Sequence, residues 1–173
     1  MREIRRTTRM HHALTSLLLS GLVLVASMDL QADWPEFRGS THTGHAPDAN
    51  VPLKWSDREN IRWQIAVPGR AWSTPAVAGD RVYVTTAAEK RSDLSLQARC
   101  YELGSGKLIW EQEIFEVKDG KIHKKNSHAS PSPIYENGRL YVHFGHNGSA
   151  CVDARNGKIL WMQTGLPYKP VHG

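Results

Sequence analysis

An internal repeat is the sequence feature that most constrains the fold of this chain. Residues 74–84, TPAVAGDRVYV, align without a gap on residues 132–142, SPIYENGRLYV, at an offset of 58 positions. Residues 100–110, CYELGSGKLIW, align on residues 151–161, CVDARNGKILW, at an offset of 51 positions. The chain therefore contains two copies of a unit of 51 to 58 residues, a period that is typical of repeat architectures.

The two copies differ in the segment that joins their halves. The first copy has AAEKRSDLSLQ at residues 87–97, where the second has the shorter HFGHNGS. Because insertions concentrate in surface loops, we expect residues 87–97 to form such a loop. A third trace, NIRWQIAV at residues 60–67, resembles only the last strand of the unit, with Trp63 in the place of Trp110 and Trp161.

Apolar and β-branched runs within each copy are separated by turn signals, which predicts four short strands per copy. The signals are Gly79-Asp80, Gly104-Ser105-Gly106, Asn137-Gly138 and Asn156-Gly157. Repeated four-stranded antiparallel sheets that are covered on both faces are typical of β-propeller blades. The alternative is a two-sheet sandwich made of duplicated halves. We therefore predict an all-β chain of about two propeller blades plus a leading strand.

The length of the unit limits how much of a propeller this chain supplies. A propeller closes with about 4–8 blades, so two blades form an incomplete ring. We expect the sequence to be the amino-terminal part of a longer protein. The predicted organisation is a signal peptide at residues 1–32, an extension at 33–60 and a partial propeller at 61–173, with blades at about 72–115 and 129–165.

The amino-terminal segment has the pattern of an export signal. Four arginines precede a mostly apolar run at residues 13–28, and small residues at Ala32 and Ser27 offer alternative cleavage points. The run is shorter than the roughly 20 apolar residues that span a bilayer, so we expect cleavage and no membrane span in the mature chain. An uncleaved anchor is the alternative. The mature protein is predicted to be periplasmic or extracellular.

The charge balance excludes one class of partner. Lys and Arg number 22 against 17 Asp and Glu, a net charge of +5. Residues 33–173 carry a surplus of only +3, and it is scattered along the chain. Nucleic-acid binders cluster basic residues on one face, so we predict no nucleic-acid partner.

The residues at the end of each copy resemble a known family. Cys151-Val-Asp-Ala-Arg-Asn-Gly-Lys-Ile-Leu-Trp161 is similar to the tryptophan-docking repeat of pyrroloquinoline-quinone (PQQ)-type propellers, and residues 100–110 repeat it. The chain thus resembles the exported bacterial PQQ-like propellers, which are related to the propeller subunit of the outer-membrane protein assembly complex. The resemblance implies that tryptophans dock blade against blade. The implied docking residues are Trp63, Gly106, Lys107, Trp110, Asp153, Gly157, Lys158 and Trp161.

The same docking repeat occurs in propellers of two functional classes. One class holds no cofactor and acts as an interaction or ligand-binding scaffold, and this is the function we predict. The alternative is the amino-terminal part of a PQQ-dependent alcohol or sugar dehydrogenase, in which the quinone sits over calcium bound by oxygen ligands. We assign no catalytic, metal-binding or cofactor-binding residue, and therefore no cofactor.

One connection between the copies is a candidate binding surface. Inter-blade loops gather at one mouth of a propeller, and binding residues favour loops on rigid scaffolds. The long connection at residues 115–130 ends in Asn126, Ser127 and His128, next to the following first strand. These residues form the candidate binding loop, for a protein or a small molecule that the sequence does not identify. The alternative is a solvated inter-blade loop without a ligand.

The cysteines and two histidines have a structural interpretation. Cys100 and Cys151 occupy matching places in adjacent copies, too far apart for a disulfide, so we expect two buried thiols. His143 and His146 are three residues apart, a spacing that points strand side chains to opposite faces and argues against a shared metal.

Overall fold

The computed structural model describes residues 33–46, 50–118 and 122–167, and its regular structure is almost entirely β. The predicted signal peptide, residues 1–32, lies outside the described residues. The described elements are β1 (Ala76–Ala78), β2 (Arg81–Lys90), β3 (Asp93–Glu102), β4 (Leu108–Lys118), β5 (Ile134–Glu136), β6 (Arg139–His143), a 3₁₀ turn (Gly145–Asn147), β7 (Ser149–Asp153) and β8 (Ile159–Gln163). Among these residues, no helix is long and apolar enough to cross a membrane.

The strands form two four-stranded antiparallel sheets, which we call the first blade (β1–β4) and the second blade (β5–β8). In each sheet the neighbours follow chain order, β1-β2-β3-β4 and β5-β6-β7-β8. Each blade is thus a simple meander, whereas immunoglobulin-type sandwiches use Greek-key connections. The predicted all-β fold of propeller blades in an incomplete ring is confirmed.

Turn residues set the register of the blade hairpins. Asn137 and Gly138 both have left-handed φ values, 48° and 77°, as a tight two-residue hairpin of this hand requires. Strand β6 then alternates, with Leu140 and Val142 buried and their neighbours more exposed. The matching turn of the first blade uses Gly79, with a φ of 56°.

The segment at residues 87–97 is part of the sheet, so the prediction of a surface loop there is wrong. Strands β2 and β3 are each 10 residues long and pair continuously up to a turn at residues 91–92. Leu94 and Leu96 are buried in the core, so the insertion gains apolar burial by lengthening both strands. The insertion therefore extends the first blade as a long hairpin.

The core lies between the facing surfaces of the two blades. Tyr83 of the first blade stacks on Tyr135 of the second, with ring centroids 5.7 Å apart. Phe115 meets Phe144 edge to face at 6.0 Å. Small and aliphatic side chains fill the rest of this cluster: Ala76, Leu96, Ala98, Leu140, Val142, Ala150 and Val152. Burial of these apolar surfaces holds the blades together.

Residues Trp34 and Pro35 form backbone hydrogen bonds with the first strands of both blades. The Trp34 N–H donates to the Val77 carbonyl at 2.9 Å, and the Val77 N–H donates back to Trp34 at 2.8 Å. One residue later, the Pro35 carbonyl accepts from the Tyr135 N–H at 2.8 Å. Because β1 and β5 each gain a backbone partner from one short segment, that segment fixes the innermost strands relative to each other.

Candidate functional site

A cavity of about 770 Å³ lies where three segments of the chain meet. We name them the strap (residues 68–70), the hairpin tip (residues 87–94) and the candidate loop (residues 126–128). The lining residues are 68–70, 87–89, 91–94, Ile122 and 126–128. This volume lies in the range of small-molecule sites. The structure therefore brings the three residues predicted from sequence, Asn126, Ser127 and His128, to one cavity wall.

The strap is fixed against strand β2 by backbone contacts. Arg70 and Ala87 exchange two hydrogen bonds, with N–O distances of 2.9 and 3.0 Å. The Thr86 hydroxyl donates to the Pro68 carbonyl. Gly69 lies so close that an added Cβ would sit 2.2 Å from the Ala87 carbonyl oxygen, which only a glycine tolerates. This wall of the cavity is consequently held by main-chain geometry.

The candidate loop is held by its own serines. The Ser130 hydroxyl donates to the Ser127 carbonyl at 2.9 Å and accepts from the Ser127 N–H at 3.0 Å. The Ser127 side chain is buried and accepts from the Ala129 N–H at 3.1 Å. The Asn126 N–H donates to the His123 carbonyl at 2.8 Å. These hydrogen bonds order the loop, although it contains no helix or strand.

The cavity wall carries charges of both signs. Arg70 and Arg91 supply the positive charges, and Glu89 and Asp93 supply the negative ones. The Lys118 ammonium lies 3.1 Å from both carboxylate oxygens of Asp93 and offsets that charge.

Lys90 belongs to the same hairpin tip but does not line the cavity. Its ammonium binds the carboxylates of Glu116 and Glu113 at 2.6 and 3.0 Å. The hydrogen bonds that the Lys90 ammonium donates to Glu116 and Glu113 raise the pKa of Lys90 above its ordinary value. The charge of Lys90 is therefore engaged on the β4 side of the hairpin.

Two tryptophans dock in the same way on glycine turns. Trp63 packs on Gly106, where an added Cβ would lie 2.6 Å from the indole, and its indole N–H donates to the Leu103 carbonyl at 2.8 Å. Trp110 packs on Gly157 with the corresponding distance of 2.7 Å and donates to the Ala154 carbonyl at 3.0 Å. In each case the indole needs both a side-chain-free turn and a carbonyl three residues before the glycine.

The stretch around Trp63 differs from the predicted leading strand in one respect. Residues 60–67 form no strand and no backbone hydrogen bond in the part of the chain that the structure describes. The stretch lies against the β3–β4 turn of the first blade and not beside a strand edge. It supplies the docking indole without extending a sheet.

Trp161 has a different environment from the other two. Its side chain is 46% exposed, and its ring lies 6.3 Å from Tyr141 of its own sheet. Lys107 and Lys158 are also exposed, and their carbonyls accept the N–H groups of Glu102 and Asp153 at 2.8 Å. Lys107 and Lys158 thus contribute to the turns through their backbone carbonyls and not through their side chains.

Asp153 organises the turn that receives Trp110. Its carboxylate accepts from the Arg155 N–H at 2.8 Å and from the Arg155 guanidinium at 3.1 Å. Hydrogen bonds from Arg155 lower the pKa of Asp153 below its ordinary value. This turn presents Gly157, with a φ of 75°, to the indole.

The two cysteines are free and buried. Burial raises the pKa of the Cys100 thiol to about 11, and burial also raises the pKa of Cys151. His143 forms a hydrogen bond of 2.9 Å with the Ser149 hydroxyl, whereas His146 is exposed in the 3₁₀ turn. Within the described ranges, no group of three or more His, Cys, Asp or Glu side chains could hold a metal ion.

Sequence reasoning missed the strap and the hairpin tip as parts of a site. The available signals were the Pro68-Gly69 pair beside a strand and the alternation of the Leu94-Ser95-Leu96 run. Treating residues 87–97 as a loop concealed the second signal, because a loop has no fixed side-chain alternation.

The meander sheets and their glycine-docked tryptophans define a PQQ-like repeat β-propeller. A sequence profile of the PQQ_2 family, described as outer membrane protein assembly factor BamB, matches residues 54–164. This match covers well over half of the 173 residues, and the chain belongs to that family. No curated protein sequence matches the chain.

Solved structures also resemble the chain. BamB from Moraxella catarrhalis is 10% identical, with a TM-score of 0.30, over 61% of this chain and 41% of that chain. A europium-containing methanol dehydrogenase is 13% identical, with a TM-score of 0.28, over 51% of this chain and 23% of that chain. The chain thus spans less than half of either solved chain.

Proposed function

We propose that this protein is an exported propeller scaffold that binds a ligand in the cavity between the strap, the hairpin tip and the candidate loop. The observation that carries this proposal is the meeting of three independently fixed segments around about 770 Å³ of space. We assign no catalytic step to it.

The walls of the cavity have the properties of a binding site on a rigid framework. The strap is bonded to β2 through its backbone, and the loop is bonded through Ser127 and Ser130. Binding residues are commonly placed on loops that a rigid fold positions. Asn126, Ser127 and His128 add amide, hydroxyl and imidazole groups, which orient a ligand by hydrogen bonds.

The proposed ligand is a small molecule. A cavity of this size encloses a compact solute, whereas a protein partner needs a much larger surface, about 800 Å² on each side. The scattered basic residues of the chain support no nucleic-acid partner.

The proposed location is the periplasm or the extracellular space. The four arginines and the apolar run before residue 32 support this proposal, as does membership of a family described as an outer membrane protein assembly factor. Mass spectrometry of the protein recovered from a bacterial host tests it. We expect a mature amino terminus after Ala32 or Ser27, and an intact Met1 on cytoplasmic protein would contradict it.

A tryptophan placed at the cavity tests the binding proposal. Ser92 is exposed, lines the cavity and donates to the neighbouring Asp93 carboxylate. Ser92→Trp should fill the mouth of the cavity without disturbing the core. In amide NMR spectra of the wild-type chain, a set of small polar solutes should shift resonances of the strap and the candidate loop, and the variant should lose these shifts.

The matched control is Ser105→Trp. Ser105 is another exposed hairpin serine that donates to a neighbouring carboxylate, Glu102, and it does not line the cavity. This variant should keep the ligand-induced shifts. Equal shifts in both variants would place binding elsewhere. Oxidation of an alcohol or a sugar by the protein with PQQ, calcium and an artificial electron acceptor would overturn the scaffold proposal.

A further inference from the structure

We infer that the ligand of this cavity is a small organic acid whose carboxylate is bound by Arg70 and Arg91. This inference rests on the proposed binding function and names the chemical class of the ligand. It follows from the placement of the two arginines, from their backbone conformation and from the charges that surround them.

Arg70 is held at the cavity wall by its backbone. Its N–H and carbonyl are both bonded to Ala87, so its Cα position is fixed relative to strand β2. The neighbouring Gly69 brings this part of the strap into direct contact with the sheet. A guanidinium on a fixed backbone loses less conformational freedom when it binds an anion than one on a mobile loop.

Arg91 lines the same cavity from the turn between β2 and β3. It has a φ of 59°, in the left-handed region where residues with a Cβ are disfavoured. In a two-residue hairpin turn with positive φ, glycine is the favoured residue at this first position. The chain thus presents a guanidinium at a backbone position that disfavours it.

The acidic side chains of the cavity wall balance only part of the positive charge of Arg70 and Arg91. Among the residues that the structure describes, neither Arg70 nor Arg91 forms an ion pair. Asp93 is neutralised by Lys118, which leaves Glu89 as the remaining carboxylate of the wall. Two cations against one anion favour a ligand that brings negative charge.

The candidate loop supplies the remaining polar groups of the cavity. Asn126, Ser127 and His128 carry groups that suit a neutral polar portion of a ligand and do not add fixed charge of one sign. Guanidinium groups bind carboxylates through two parallel N–H···O bonds. A solute with carboxylates and a short carbon chain matches this arrangement, and the space of about 770 Å³ admits molecules larger than a simple ion.

A matched pair of probes tests the charge requirement. Succinate and its diamide, succinamide, have the same carbon chain and differ in charge. Titration of succinate should produce saturable shifts of the amide resonances of residues 69–70 and 91–94, and succinamide should produce none at the same concentration. Equal responses to both probes, or no response to succinate, would overturn the inference.

Variants of Arg70 and Arg91 test whether these two residues bind the carboxylate of succinate. Arg70→Gln and Arg91→Gly should each weaken succinate binding about tenfold, as the loss of one charge-assisted hydrogen-bonded pair predicts. Arg91→Gly should also leave the melting temperature unchanged or raise it, because glycine is favoured at this φ. The control is Arg58→Gln, an exposed arginine that does not line the cavity, which should bind succinate like the wild type.

The outcomes separate this inference from the function on which it rests. If neutral solutes shift the strap and the candidate loop, and Ser92→Trp abolishes those shifts, the cavity is a binding site but its ligand is not an acid. If no solute of either charge shifts these residues, the proposed function itself is wrong. Succinate binding that persists in Arg70→Gln and Arg91→Gly would contradict the assigned residues.

Discussion

The two blades contain the same row of side chains in different surroundings. Tyr83, Cys100 and Trp110 lie side by side across the first blade, and Tyr141, Cys151 and Trp161 repeat the row in the second. Trp110 is 8% exposed and Trp161 is 46% exposed. A tryptophan of this repeat is therefore buried by the glycine turn of the adjacent blade and not by its own sheet.

The blades also differ in the length of their central strands. Strands β2 and β3 have 10 residues each, whereas β6 and β7 have 5 each. The extra length of the first blade carries the hairpin tip that lines the cavity. The repeated part of each blade therefore maintains the packing, and the non-repeated part of the first blade builds the candidate site.

Truncation of the two tryptophans gives the largest expected difference between the blades. Trp110→Ala removes a buried indole and its hydrogen bond to Ala154, and should lower the free energy of unfolding by about 3–5 kcal/mol. Trp161→Ala removes a half-exposed side chain and should cost about 1 kcal/mol. Urea unfolding measures both, and equal losses would contradict the docking explanation.

Glycine substitutions separate backbone strain from docking. Gly157→Ala places a Cβ in the left-handed region and 2.7 Å from the Trp110 ring, and should cost about 2–4 kcal/mol. Gly138 has a similar φ of 77° with open space around it, so Gly138→Ala should cost only about 1 kcal/mol. The near-ultraviolet circular dichroism of Trp110 should change in the first variant alone.

Acid titration distinguishes the carboxylates of the two blades. In the first blade, hydrogen bonds from Ser95 and then Lys90 lower the pKa of Glu113. A carboxyl group whose pKa is lower in the folded state than in the unfolded state stabilises the protein at pH values above the unfolded-state pKa. This stabilisation is lost as the pH falls through the folded-state pKa. Ser95→Ala should raise the pKa of Glu113 toward its ordinary value and cost about 0.5–1 kcal/mol at neutral pH, since Glu113 is partly exposed.

Carboxyl-carbon NMR measures this effect, and the second blade supplies its control. The pKa of Asp153 is lowered by Arg155, which does not contact Ser95 or Glu113 in the described residues. The titration of Asp153 should therefore be unchanged by Ser95→Ala. A joint shift of both carboxyls would indicate a global change in stability and not the loss of one hydrogen bond.

Thiol labelling gives the smallest expected difference. Burial raises the pKa of Cys100 to about 11, so only about one thiol in a thousand is ionised at pH 8. Cys151 is the cross-strand neighbour of the half-exposed Trp161, whereas Cys100 belongs to the core cluster between the blades. We expect a disulfide reagent to label neither cysteine quickly and to label Cys151 first. Faster labelling of Cys100 would show that the inter-blade core opens before the outer face.

Much of the fold was predictable because the repeat is local. Asn137-Gly138 specified a tight hairpin, and the four-residue spacing from Gly106 to Trp110 and from Gly157 to Trp161 marked the turn and the indole of each copy. The error at residues 87–97 has a physical cause. An alternating pattern that is interrupted by Glu89 to Asp93 looks like a polar loop in sequence, and only the paired strand shows that Leu94 and Leu96 face the core.

The candidate site was predictable in part. The loop at residues 126–128 could be proposed because its position after a long connection is visible in the sequence. The strap could not be placed, because the Pro68-Gly69 pair indicates only a local turn. Gly69 and Arg70 are 17 residues or more from Ala87 along the chain, and the sequence does not show that main-chain hydrogen bonds join them to it.

The repeating unit, its turns and the residue types of the docking pairs can be read from the amino-acid sequence, because they depend on local patterns and short-range backbone preferences. Which indole is buried and which segments surround the cavity are visible only in the folded chain, because both depend on contacts between residues that are distant in the sequence. Trp110 and Trp161 have the same local sequence pattern and differ only in what lies against them.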